Sequence, residues 1–439
     1  MTKIGIIGGG INGLMSAYYC QKMGYEVTII EQGDLSDGCS YGNAGMIVPS
    51  HIIPLAAPGM IAKGLRWMLS PTSPFYIRPR MSGRLIKWGS LFYKNSTAAH
   101  VEKSIPILRD LSLLSKQLYQ DFQKDNTFDF GWHEKGLLML YQTAKMEHEE
   151  IEGAAMANKA GIEAHVLNKR EVQDLNPNTY FNIQGGVLYP DDAHLSPNLL
   201  MTGLKKQLIQ TVTASGARQE GVIFLDKTAV IDFEIKNQKV VSIITAQQKL
   251  DFDEIVITAG AWTGVLSEKL GISLPLQGGK GYSFMLNGIG NKVNIPSILL
   301  EARATATPIG NDLRCAGTME IVGLDLSVNM KRVQGIVNGI NNFFPELTIN
   351  LPQQEAVWSG LRPCSPDGLP YIGRVNHLKN VTIATGHGMM GLSLGAATGK
   401  LVSEIVAHDP LLPRSARSDN YPFGNISALM MNNLNPQRF

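Results

Sequence analysis

A glycine-rich turn near the N-terminus has the residue types and spacing of a dinucleotide-binding site. In the sequence KIGIIGGGINGLMSAYYCQKMGYEVTIIEQ, which begins at residue 3, an apolar strand precedes the glycines and a helix follows them. Gly8 permits the tight turn, Gly10 lets the backbone approach a pyrophosphate, and Gly13 allows the helix to pack closely on the strand. Glu31, which lies 21 positions after Gly10, would accept a hydrogen bond from a ribose 2′-hydroxyl and repel a 2′-phosphate. The sequence therefore predicts FAD or NAD and disfavours NADP.

Two later clusters of small residues could hold the flat ring system of such a cofactor. The first, GCSYGNAGM (38–46), offers backbone N–H groups and hydroxyls, although an ordinary loop has a similar composition. The second, TGHGMMG (385–391), stands between a predicted buried strand and a helix whose N-terminus carries about half a positive charge. A reduced flavin is anionic near N1 and its C2 carbonyl, so a helix directed there would stabilise it. NAD needs no such feature, and the second cluster therefore favours FAD.

Arg362 is the residue best suited to hold a substrate. It lies in WSGLRPCSPDGLPYIG (358–373), where Pro363 restrains the backbone after it. A guanidinium binds a carboxylate through two parallel hydrogen bonds and so orients a small acid, although a structural ion pair would use the same residue. Asp367 stands in a Pro-Asp-Gly turn, which favours a turn former over a general base. His387 could be catalytic, and a contact at the flavin edge is the favoured alternative.

The composition and the remaining motifs exclude several classes of protein. No Ser/His/Asp order, paired carboxylates or HExxH motif indicates hydrolysis. A net charge of +2 gives no global reason to expect nucleic acid. Four scattered cysteines without a CxxC pair argue against structural zinc, an iron–sulfur cluster and a disulfide framework, and we expect free thiols in a reducing cytoplasm. No run approaches the roughly 18 uninterrupted apolar residues of a membrane span.

The glycine clusters and Arg362 must be positioned by an α/β fold whose nucleotide sheet is assembled from separate stretches. The first βαβ unit would leave a sheet edge and both faces uncovered, so later strands must complete it. One predicted return is a helix at Ser196–Ala214, followed by a small meander of strands at Thr228–Phe233, Lys239–Ala246 and Glu254–Thr258. The other is Asn380–His408, a buried strand and then a helix that begins at Gly391.

The residues between these returns predict a second domain, interleaved with the first, whose own sheet faces the cofactor. Helices at Leu108–Asp121 and Met146–Ala160 and strand-rich stretches from Tyr282 to Met319 do not fit the nucleotide sheet. The 439 residues suffice for two domains of roughly 100 to 200 residues each. We expect an FAD-binding domain at 1–60, 190–275 and 355–410, a substrate domain at 61–189 and 276–354, and an irregular surface tail at 411–439.

Four motifs together resemble one enzyme family. GIIGGGINGLMSAY, SYGNAG, GLRPCSPDGLPYIG and TGHGMMGLSLGAATGKLVSEI, in this order, are similar to the FAD-dependent amino acid oxidoreductases that include D-amino acid oxidases, glycine oxidases and bacterial D-amino acid dehydrogenase small subunits. The run from Cys39 to Met68 resembles the dehydrogenase branch in particular. The resemblance, which extends to about Ala407, implies a two-domain glutathione-reductase-like FAD-binding Rossmann fold with an interleaved antiparallel-sheet substrate domain.

The resemblance also implies an activity and a set of site residues. It implies FAD as the cofactor and oxidation of the Cα–N bond of a small, D-configured amino acid or cyclic imino acid by hydride transfer to flavin N5. Positioning, with no obligate side-chain base, would then suffice for catalysis. Arg362 falls on the arginine that binds the substrate carboxylate in this family. The related oxidases place a tyrosine near the substrate, but no tyrosine occurs between Ser297 and Gly323 here, so Thr305 and Thr307 are the candidate substitutes.

These arguments give a definite list of candidate residues. The catalytic candidates are Arg362, His387, Thr305 and Thr307. The expected cofactor contacts are Gly8, Gly10, Ile11, Asn12, Gly13, Glu31, Gln32, Ser40, Asn43, Ala44, Gly45, Met46, Val230, Ala259, Gly260, Trp262, Gly386, His387, Gly388, Met389, Met390 and Gly391. Three alternatives stay open: a glycine-oxidase-like enzyme that uses oxygen, a flavin redox subunit without its own substrate, and an NAD-dependent dehydrogenase.

A basic and aromatic segment bears on the electron acceptor. No acidic residue occurs from Gly38 to Val101, where seven cations alternate with aromatic side chains: Lys63, Arg66, Arg78, Arg80, Arg84, Lys87 and Lys94 with Trp67, Phe75, Tyr76, Trp88, Phe92 and Tyr93. Such a surface could rest on anionic lipid and reach a quinone, or could simply cover the substrate domain or a subunit contact. We expect a cytoplasmic protein, with peripheral contact to the inner face of the cell membrane and a homo-oligomer as further hypotheses.

Overall fold

Strands and helices alternate along the chain in the computed structural model, which describes residues 1–36, 38–68, 70, 72–125, 128–209, 221–407 and 428–439. The strands are β1 (Lys3–Ile7), β2 (Glu26–Ile30), β3 (Met46–Ile47), β4 (Phe75–Ile77), β5 (Leu137–Tyr141), β6 (His165–Asn168), β7 (Gly185–Tyr189), β8 (Ala193–His194), β9 (Ile223–Leu225), β10 (Val230–Lys236), β11 (Lys239–Thr245), β12 (Lys249–Leu250), β13 (Glu254–Ile257), β14 (Gln277–Leu286), β15 (Ser297–Leu299), β16 (Ala304–Ile309), β17 (Asp312–Ile321), β18 (Trp358–Cys364), β19 (Tyr371–Arg374) and β20 (Val381–Thr385). The helices are α1 (Ile11–Lys22), α2 (Met60–Trp67), α3 (Gly83–Asn95), α4 (Ala98–Asp125), α5 (Ala144–Lys159), α6 (Lys169–Leu175), α7 (Pro197–Ile209), α8 (Thr263–Lys269), α9 (Met330–Phe343), α10 (Gly395–Ala407) and α11 (Ala428–Leu434).

The nucleotide sheet draws its strands from three distant stretches of the chain. Its order is β19-β20-β13-β1-β2-β9, in which the strands from β20 to β9 are parallel and β19 is antiparallel to β20. Strands buried on both faces favour unbroken apolar runs, and IGII in β1 and EIVI in β13 are of this kind. The prediction that later segments complete the first βαβ unit is confirmed. The helix predicted at Ser196–Ala214 corresponds to α7, whose described residues end at Ile209.

The predicted meander divides between two sheets. Strands β10, β11 and β12 form a separate three-stranded sheet. The last predicted strand is β13, which instead inserts between β1 and β20 in the nucleotide sheet. Its continuous burial favours this central position, whereas the alternating exposure of β10 suits a sheet with one solvated face.

A second, nine-stranded sheet lies over the nucleotide sheet. Its order is β18-β14-β17-β16-β15-β5-β7-β6, and β4 pairs with β17. Most neighbours are antiparallel, as predicted, but the pairs β5–β15 and β4–β17 are parallel. Strand β18, which carries Arg362, pairs with β14 in this sheet, although the predicted boundaries assign 355–410 to the FAD-binding domain. The assignment of this strand is therefore corrected, because a full ladder of seven partners joins β18 to β14.

Two predictions about helices are wrong. The predicted helix Leu108–Asp121 is part of α4, but its apolar stripe lies in the core of the nucleotide domain: the Tyr119 hydroxyl donates to the Leu392 carbonyl at 2.7 Å, and Ser115 Oγ accepts from the Ala397 N–H at 3.3 Å. The helix expected to begin at Gly391 begins at Gly395, because a short 3₁₀ turn, Gly388–Met390, and further turn residues come first.

The C-terminal residues are not an irregular surface tail where the structure describes them. Helix α11 is followed by a turn, and Met430 and Leu434 are buried in the same core as α1 and α10. Arg438 forms an ion pair with Asp367 at 2.7 Å and a second bond to the same carboxylate at 2.8 Å. The final segment thus fastens the turn that follows β18. Residues 408–427, which include the start of the predicted tail, lie outside the described part.

Candidate functional site

One cavity of about 1580 Å³ connects the nucleotide sheet with the nine-stranded sheet. Most of the predicted cofactor contacts line it: Gly8, Gly10, Ile11, Asn12, Glu31, Gln32, Ser40, Asn43, Ala44, Met46, Val230, Ala259, Gly260, Trp262, Gly388, Met389, Met390 and Gly391. Four do not: Gly13, Gly45, Gly386 and His387. Arg362 and Thr305 line the same space, which places a substrate anchor beside the cofactor residues.

The N-terminal glycines form a cradle at the start of α1. Gly8 has φ +107°, a conformation that favours glycine, and a Cβ on Gly13 would lie 1.9 Å from the Gly8 carbonyl oxygen. A Cβ on Gly10 would meet only Ser40 Oγ, at 3.5 Å, so the space in front of it is open to the cavity. No side chain caps α1 at Gly10, and its first turn has no acidic residue. The N-terminus of a helix beside open space suits a pyrophosphate.

Glu31 extends this cradle toward the position of a ribose. Its carboxylate accepts from the Gly9 N–H at 2.8 Å and the Gly33 N–H at 2.9 Å, which fixes the side chain at the end of β2. Each carboxylate oxygen has a second lone pair that can accept a hydroxyl. The cradle, the uncapped helix and the fixed carboxylate therefore fit the adenosine diphosphate half of FAD.

The small-residue loop after β2 is held in place beneath the nine-stranded sheet. Ser40 Oγ accepts from the Ile11 N–H at 3.0 Å, which joins the loop to the cradle. Arg314 on β17 donates to the carbonyls of Tyr41 and Asn43 at 2.9 and 2.7 Å. Gly45 supports the loop from behind the cavity, because its φ is +82° and a Cβ there would lie 2.4 Å from the Leu195 carbonyl oxygen. The loop is therefore a built surface for the cofactor.

His387 is not a cavity residue, so the geometry gives no support to a catalytic role. Its ring nitrogens lie 3.1 Å from Asn12 Nδ2 and 2.9 Å from Thr398 Oγ1, and the side chain is buried. Burial lowers the pKa of His387 to about 3, so the ring is neutral. It joins α1 to α10 and supports the glycine cluster from behind. Gly386, with φ +80°, similarly makes room for Tyr371.

Arg362 carries an unpaired guanidinium into the cavity. Its Nη1 donates to the Thr318 carbonyl at 2.7 Å, and no carboxylate of the described residues lies within 4.0 Å. The guanidinium lies over Gly281, where a Cβ would approach Nη1 to 2.0 Å. Burial lowers the pKa of Arg362. Arginine side chains nevertheless keep their positive charge in proteins. The arrangement excludes a structural ion pair and leaves donors for a carboxylate.

A β-bulge in β17 positions the Thr318 carbonyl that accepts from Arg362. Thr318 and Met319 oppose the single residue Gly281, and Thr318 has φ +70°, which is unusual for a β-branched residue. The left-handed residue turns its carbonyl toward Arg362. Of the two candidate threonines, Thr305 lines the cavity, whereas Thr307 is fully buried and does not. Thr305 Oγ1 has only a long 3.4 Å contact to the Ala316 carbonyl.

A polar chain that the sequence reasoning missed leads from the interior to the cavity. The carboxylate of Asp192 is fully buried and accepts from Ser50 Oγ at 2.5 Å and from the Ser50 N–H at 3.0 Å. Ser50 Oγ lies 3.1 Å from Nδ1 of His51, which lines the cavity. With the Ser50 proton given to Asp192, Nδ1 of His51 is the donor and Nε2 keeps a free lone pair.

Burial sets the protonation of this chain. It raises the pKa of Asp192 to about 7 and lowers that of His51 to about 4. Nε2 of His51 has no protein partner and is not a buried atom, so its lone pair faces accessible space. The side chain can therefore accept a proton from a ligand. The adjacent Ser50-His51 after NAGM was the available sequence signal, but Asp192 comes from the distant turn before β8.

The segment from Gly38 to Val101, which has no acidic residue and is called the acid-free segment below, contributes to the outer wall of the cavity. Aromatic side chains from α2, β4 and α3 line it, namely Trp67, Phe75, Trp88, Phe92 and Tyr93. Several of its cations have partners within the chain: Lys63 pairs with Glu149, Arg78 with Asp325 and Arg84 with Glu268. The segment therefore covers the cavity. No helix of the described residues is long and apolar enough to cross a membrane.

Comparisons with known proteins agree with this geometry. The chain is 29% identical over 410 residues to a D-amino acid dehydrogenase of Vibrio vulnificus, and 28% identical over 405 residues to one of Helicobacter pylori. These matches cover 92% of this chain and 95% and 94% of those proteins. The solved glycine oxidase from Geobacillus kaustophilus superposes with TM-score 0.75 at 21% identity, covering all of both chains. L-Proline dehydrogenase from P. horikoshii gives TM-score 0.72 at 17% identity, covering 100% of this chain and 97% of that one.

The family follows from the sequence match and from the fit of the site. The model of the DAO family, described as FAD dependent oxidoreductase, matches residues 3–405. The cradle at Gly10, the carboxylate of Glu31 and the loop around Asn43 are the features that FAD requires of this chain. The protein therefore belongs to the DAO family of FAD-dependent oxidoreductases, and FAD is its cofactor.

Proposed function

We propose that this protein is a dehydrogenase of small D-amino acids or cyclic imino acids. It oxidises the Cα–N bond to an imine, which hydrolyses to a 2-oxo acid and ammonia, or to the ring-opened product of a cyclic substrate. When bound, FAD supplies the two-electron acceptor for the hydride from Cα. The observation that carries the proposal is the unpaired Arg362 guanidinium in the cavity that the cofactor cradle also lines.

Arg362 supplies the anchor for the α-carboxylate. Its bond to the Thr318 carbonyl and its seat over Gly281 fix the guanidinium before substrate arrives, so little conformational freedom is lost on binding. A rigid two-point contact orients the Cα–H bond, and such positioning can account for much of a rate enhancement. A redox subunit without its own substrate would not need an unpaired cation here.

His51 supplies the second chemical step that the reaction needs. The substrate arrives as an ammonium, whose nitrogen must lose a proton before its lone pair can assist departure of the hydride. Nε2 of His51 accepts that proton, while Ser50 and Asp192 hold the ring in its orientation. The aromatic wall of α2, β4 and α3 makes this side of the cavity apolar.

The names of the relatives support the choice of substrate class. The similar proteins of Vibrio vulnificus and Helicobacter pylori are named D-amino acid dehydrogenases, which indicates D-amino acids and an acceptor other than oxygen. The solved structures support the fold alone at their low identity.

The surface of the acid-free segment supports a quinone acceptor at a membrane. Among the described residues, and apart from Met1, the large apolar side chains exposed beyond 60% all lie in this segment: Leu65 at 62%, Met81 at 100%, Ile86 at 66% and Tyr93 at 71%. The side chains of Arg66 and Lys94 are also exposed there. Apolar tips beside cations suit an anionic lipid surface. Leu65 and Tyr93 also line the cavity, so a lipid-soluble acceptor would meet an opening at that surface.

The carboxylate anchor is tested with Arg362→Lys. Lysine keeps the charge but loses the planar, two-point contact, and we expect anaerobic bleaching of the flavin by the best D-amino acid to slow by about 10- to 100-fold, since a charge-assisted pair contributes roughly 1.5–3 kcal/mol. FAD content should be normal. Arg170→Lys, at an exposed position on α6, is the matched control. An unchanged rate in Arg362→Lys would leave the anchor assignment without support.

The acceptor is tested by comparing turnover with a short-chain quinone, an artificial dye and air. We expect fast turnover with the quinone or dye and slow turnover with air alone. Binding to anionic vesicles should weaken with salt, because the Debye length is about 10 Å at 0.1 M. Leu65→Asp with Ile86→Asp should reduce vesicle binding in the same assay. Rapid, stoichiometric hydrogen peroxide release that quinone does not increase would identify an oxidase instead.

A further inference from the structure

A second arginine, Arg303, lines the same cavity as Arg362 and has no ion-pair partner. It lies in the turn between β15 and β16. No carboxylate of the described residues lies within 4.0 Å of its guanidinium, and its Nε is buried without an acceptor. A buried donor on a cation destabilises the protein unless it is paired. A carboxylate in the cavity would bring the missing countercharge to this guanidinium.

Arg303 is fixed in place before any ligand binds. Its guanidinium lies 5.5 Å from the ring centroid of Trp67, a cation–π contact with α2. Its backbone has φ +49°, a conformation that costs free energy in a non-glycine residue. Strained residues of this kind concentrate at ligand sites. Both features restrict the direction of the side chain.

The acidic groups near Arg303 do not neutralise it. Glu150 on α5 lies close enough for Arg303 to lower its pKa, but burial has the larger effect and raises the pKa of Glu150, which weakens its negative charge. Glu301 accepts with Oε1 from the N–H groups of Gln142 and Thr143, while its Oε2 is buried without a hydrogen-bond partner. The neighbouring Glu149 is paired with Lys63. None of these carboxylates forms an ion pair with Arg303 within 4.0 Å.

The two arginines approach one short stretch of β17 from opposite sides. Arg362 reaches across β14 to the Thr318 carbonyl. Arg303 directly precedes Ala304, whose partner in the sheet is Gly317. Neighbouring strands lie about 4.8 Å apart, so the point that Arg362 reaches is about one strand spacing from the backbone of Arg303. Both residues therefore flank this stretch of β17, and both line the same cavity.

We infer that the preferred substrate carries a second carboxylate, which Arg303 binds while Arg362 binds the α-carboxylate. This inference rests on the proposed function and narrows its substrate class to amino dicarboxylic acids such as D-aspartate and D-glutamate. Trp67 forms the wall beside the distal carboxylate. Neutral amino acids of the same length leave the Arg303 guanidinium without a carboxylate in the cavity, which is the physical basis of the discrimination.

A binding experiment tests the inference without turnover. Glutarate and butyrate, which have no amino group to oxidise, are titrated into the FAD-loaded protein, and the dissociation constants are measured from the change in the flavin spectrum. We expect glutarate to bind about 10- to 100-fold more tightly than butyrate, the factor of one charge-assisted contact. Arg303→Met should remove this preference, whereas Arg303→Lys should keep part of it. Arg170→Met is the surface control.

A kinetic experiment then separates this inference from the proposed function. Flavin bleaching is measured with D-glutamate, D-glutamine and D-methionine, and the ratio of kcat/KM for D-glutamate over D-glutamine should fall in Arg303→Met by the same factor as the binding preference. Efficient reduction by neutral D-amino acids, with no preference for D-glutamate and none for glutarate, overturns the inference and leaves the proposed function standing. Glutarate preference without reduction by any amino acid overturns the proposed function and retains the dicarboxylate site.

Discussion

At the scale of single residues, the site combines rigid donors with one free acceptor. Arg362 and Arg303 present cations that are held by the Thr318 carbonyl and the Trp67 ring, and His51 presents a lone pair oriented by Ser50. Side chains that are fixed in advance lose less freedom when a ligand binds. Activity should therefore respond to small changes at these positions more than to changes on the surface.

Gly10→Val should leave the purified protein with little FAD. The open space in front of Gly10 would accept the Cβ, which meets only Ser40 Oγ at 3.5 Å, but the branched methyl groups would occupy the place of the pyrophosphate. The ratio of flavin to protein absorbance measures the effect. Gly153→Ala on α5, where a Cβ meets nothing within 4 Å, should bind FAD fully. Stoichiometric flavin in Gly10→Val would contradict the assigned cradle.

His51→Gln should slow flavin reduction by about 100-fold near neutral pH, which is within the range for a positioned general base. The deficit should shrink as the pH rises, because more substrate then arrives with a neutral amine and needs no base. The rate of anaerobic flavin bleaching between pH 6 and 10 measures this. His165→Gln, at an exposed position on β6, is the control. A pH-independent deficit would indicate that His51 only shapes the cavity.

At the scale of elements, the site depends on contacts between segments that are far apart in sequence. Strand β18 brings Arg362 to the nine-stranded sheet, the bulge in β17 supplies its carbonyl partner, and the last described residues fasten the turn after β18 through Arg438 and Asp367. His100 on α4 approaches the Asp367 carbonyl from another side at 2.7 Å. The anchor strand is thus held at its exit by two segments, α4 and the C-terminal residues.

Arg438→Met should destabilise the holoprotein by roughly 3 kcal/mol, the lower end for removing one partner of a buried ion pair. The buried Asp367 carboxylate would keep only the 3.2 Å bond from the Leu369 N–H, because Arg438 supplies its two other hydrogen bonds. Urea unfolding followed by tryptophan fluorescence measures the loss. Asp367→Asn combined with Arg438→Met removes the isolated charge and should recover part of the stability. A loss below 1 kcal/mol would show that the pair contributes little.

Local patterns predicted some elements well and others poorly. The βαβ unit, Glu31, the loop around Asn43 and Arg362 were predicted because each is encoded by a short contiguous motif. Arg303 and the His51-Ser50-Asp192 chain were missed because their residues meet only through sheet pairing and burial. His387 was given a possible catalytic role because residue type alone does not show that its ring faces α10. The apolar stripe of α4 predicted a helix but not the core that it joins.

At the scale of the whole molecule, several ionisable side chains are buried without charge. The pKa of His51 falls to about 4, and those of His194 and His387 fall to about 3, with burial as the main cause. Between about pH 3 and 6.5 the unfolded chain protonates these histidines and the folded chain does not, so stability rises with pH across this window. Asp192 acts in the opposite direction from pH 3.8 to about 7, because its proton is retained in the folded state.

The three histidines outnumber Asp192, and we expect this set of groups to make the protein less stable at pH 5 than at pH 7. His194→Gln should reduce the slope of the unfolding free energy against pH, because one fewer proton is taken up on unfolding. The reduction should reach about 1.4 kcal/mol per pH unit below the pKa of an unfolded histidine. The free energy of unfolding is measured with urea at pH 5, 6 and 7. His165→Gln should keep the wild-type slope. An identical slope in His194→Gln would show that this histidine is already charged in the fold.

Because the nucleotide sheet is assembled from three distant stretches of the chain, its assembly also determines when FAD can bind during synthesis. Strand β1 emerges first from the ribosome, yet its partner β13 begins at Glu254 and the outer pair β19 and β20 ends at Thr385. Contacts of such long sequence separation form slowly and leave apolar strands exposed meanwhile. FAD can bind the completed sheet only near the end of translation, and its binding then stabilises the newly folded chain by mass action. Riboflavin supply in the expressing cell should therefore limit the yield of folded protein, with chaperones holding the unpaired early strands.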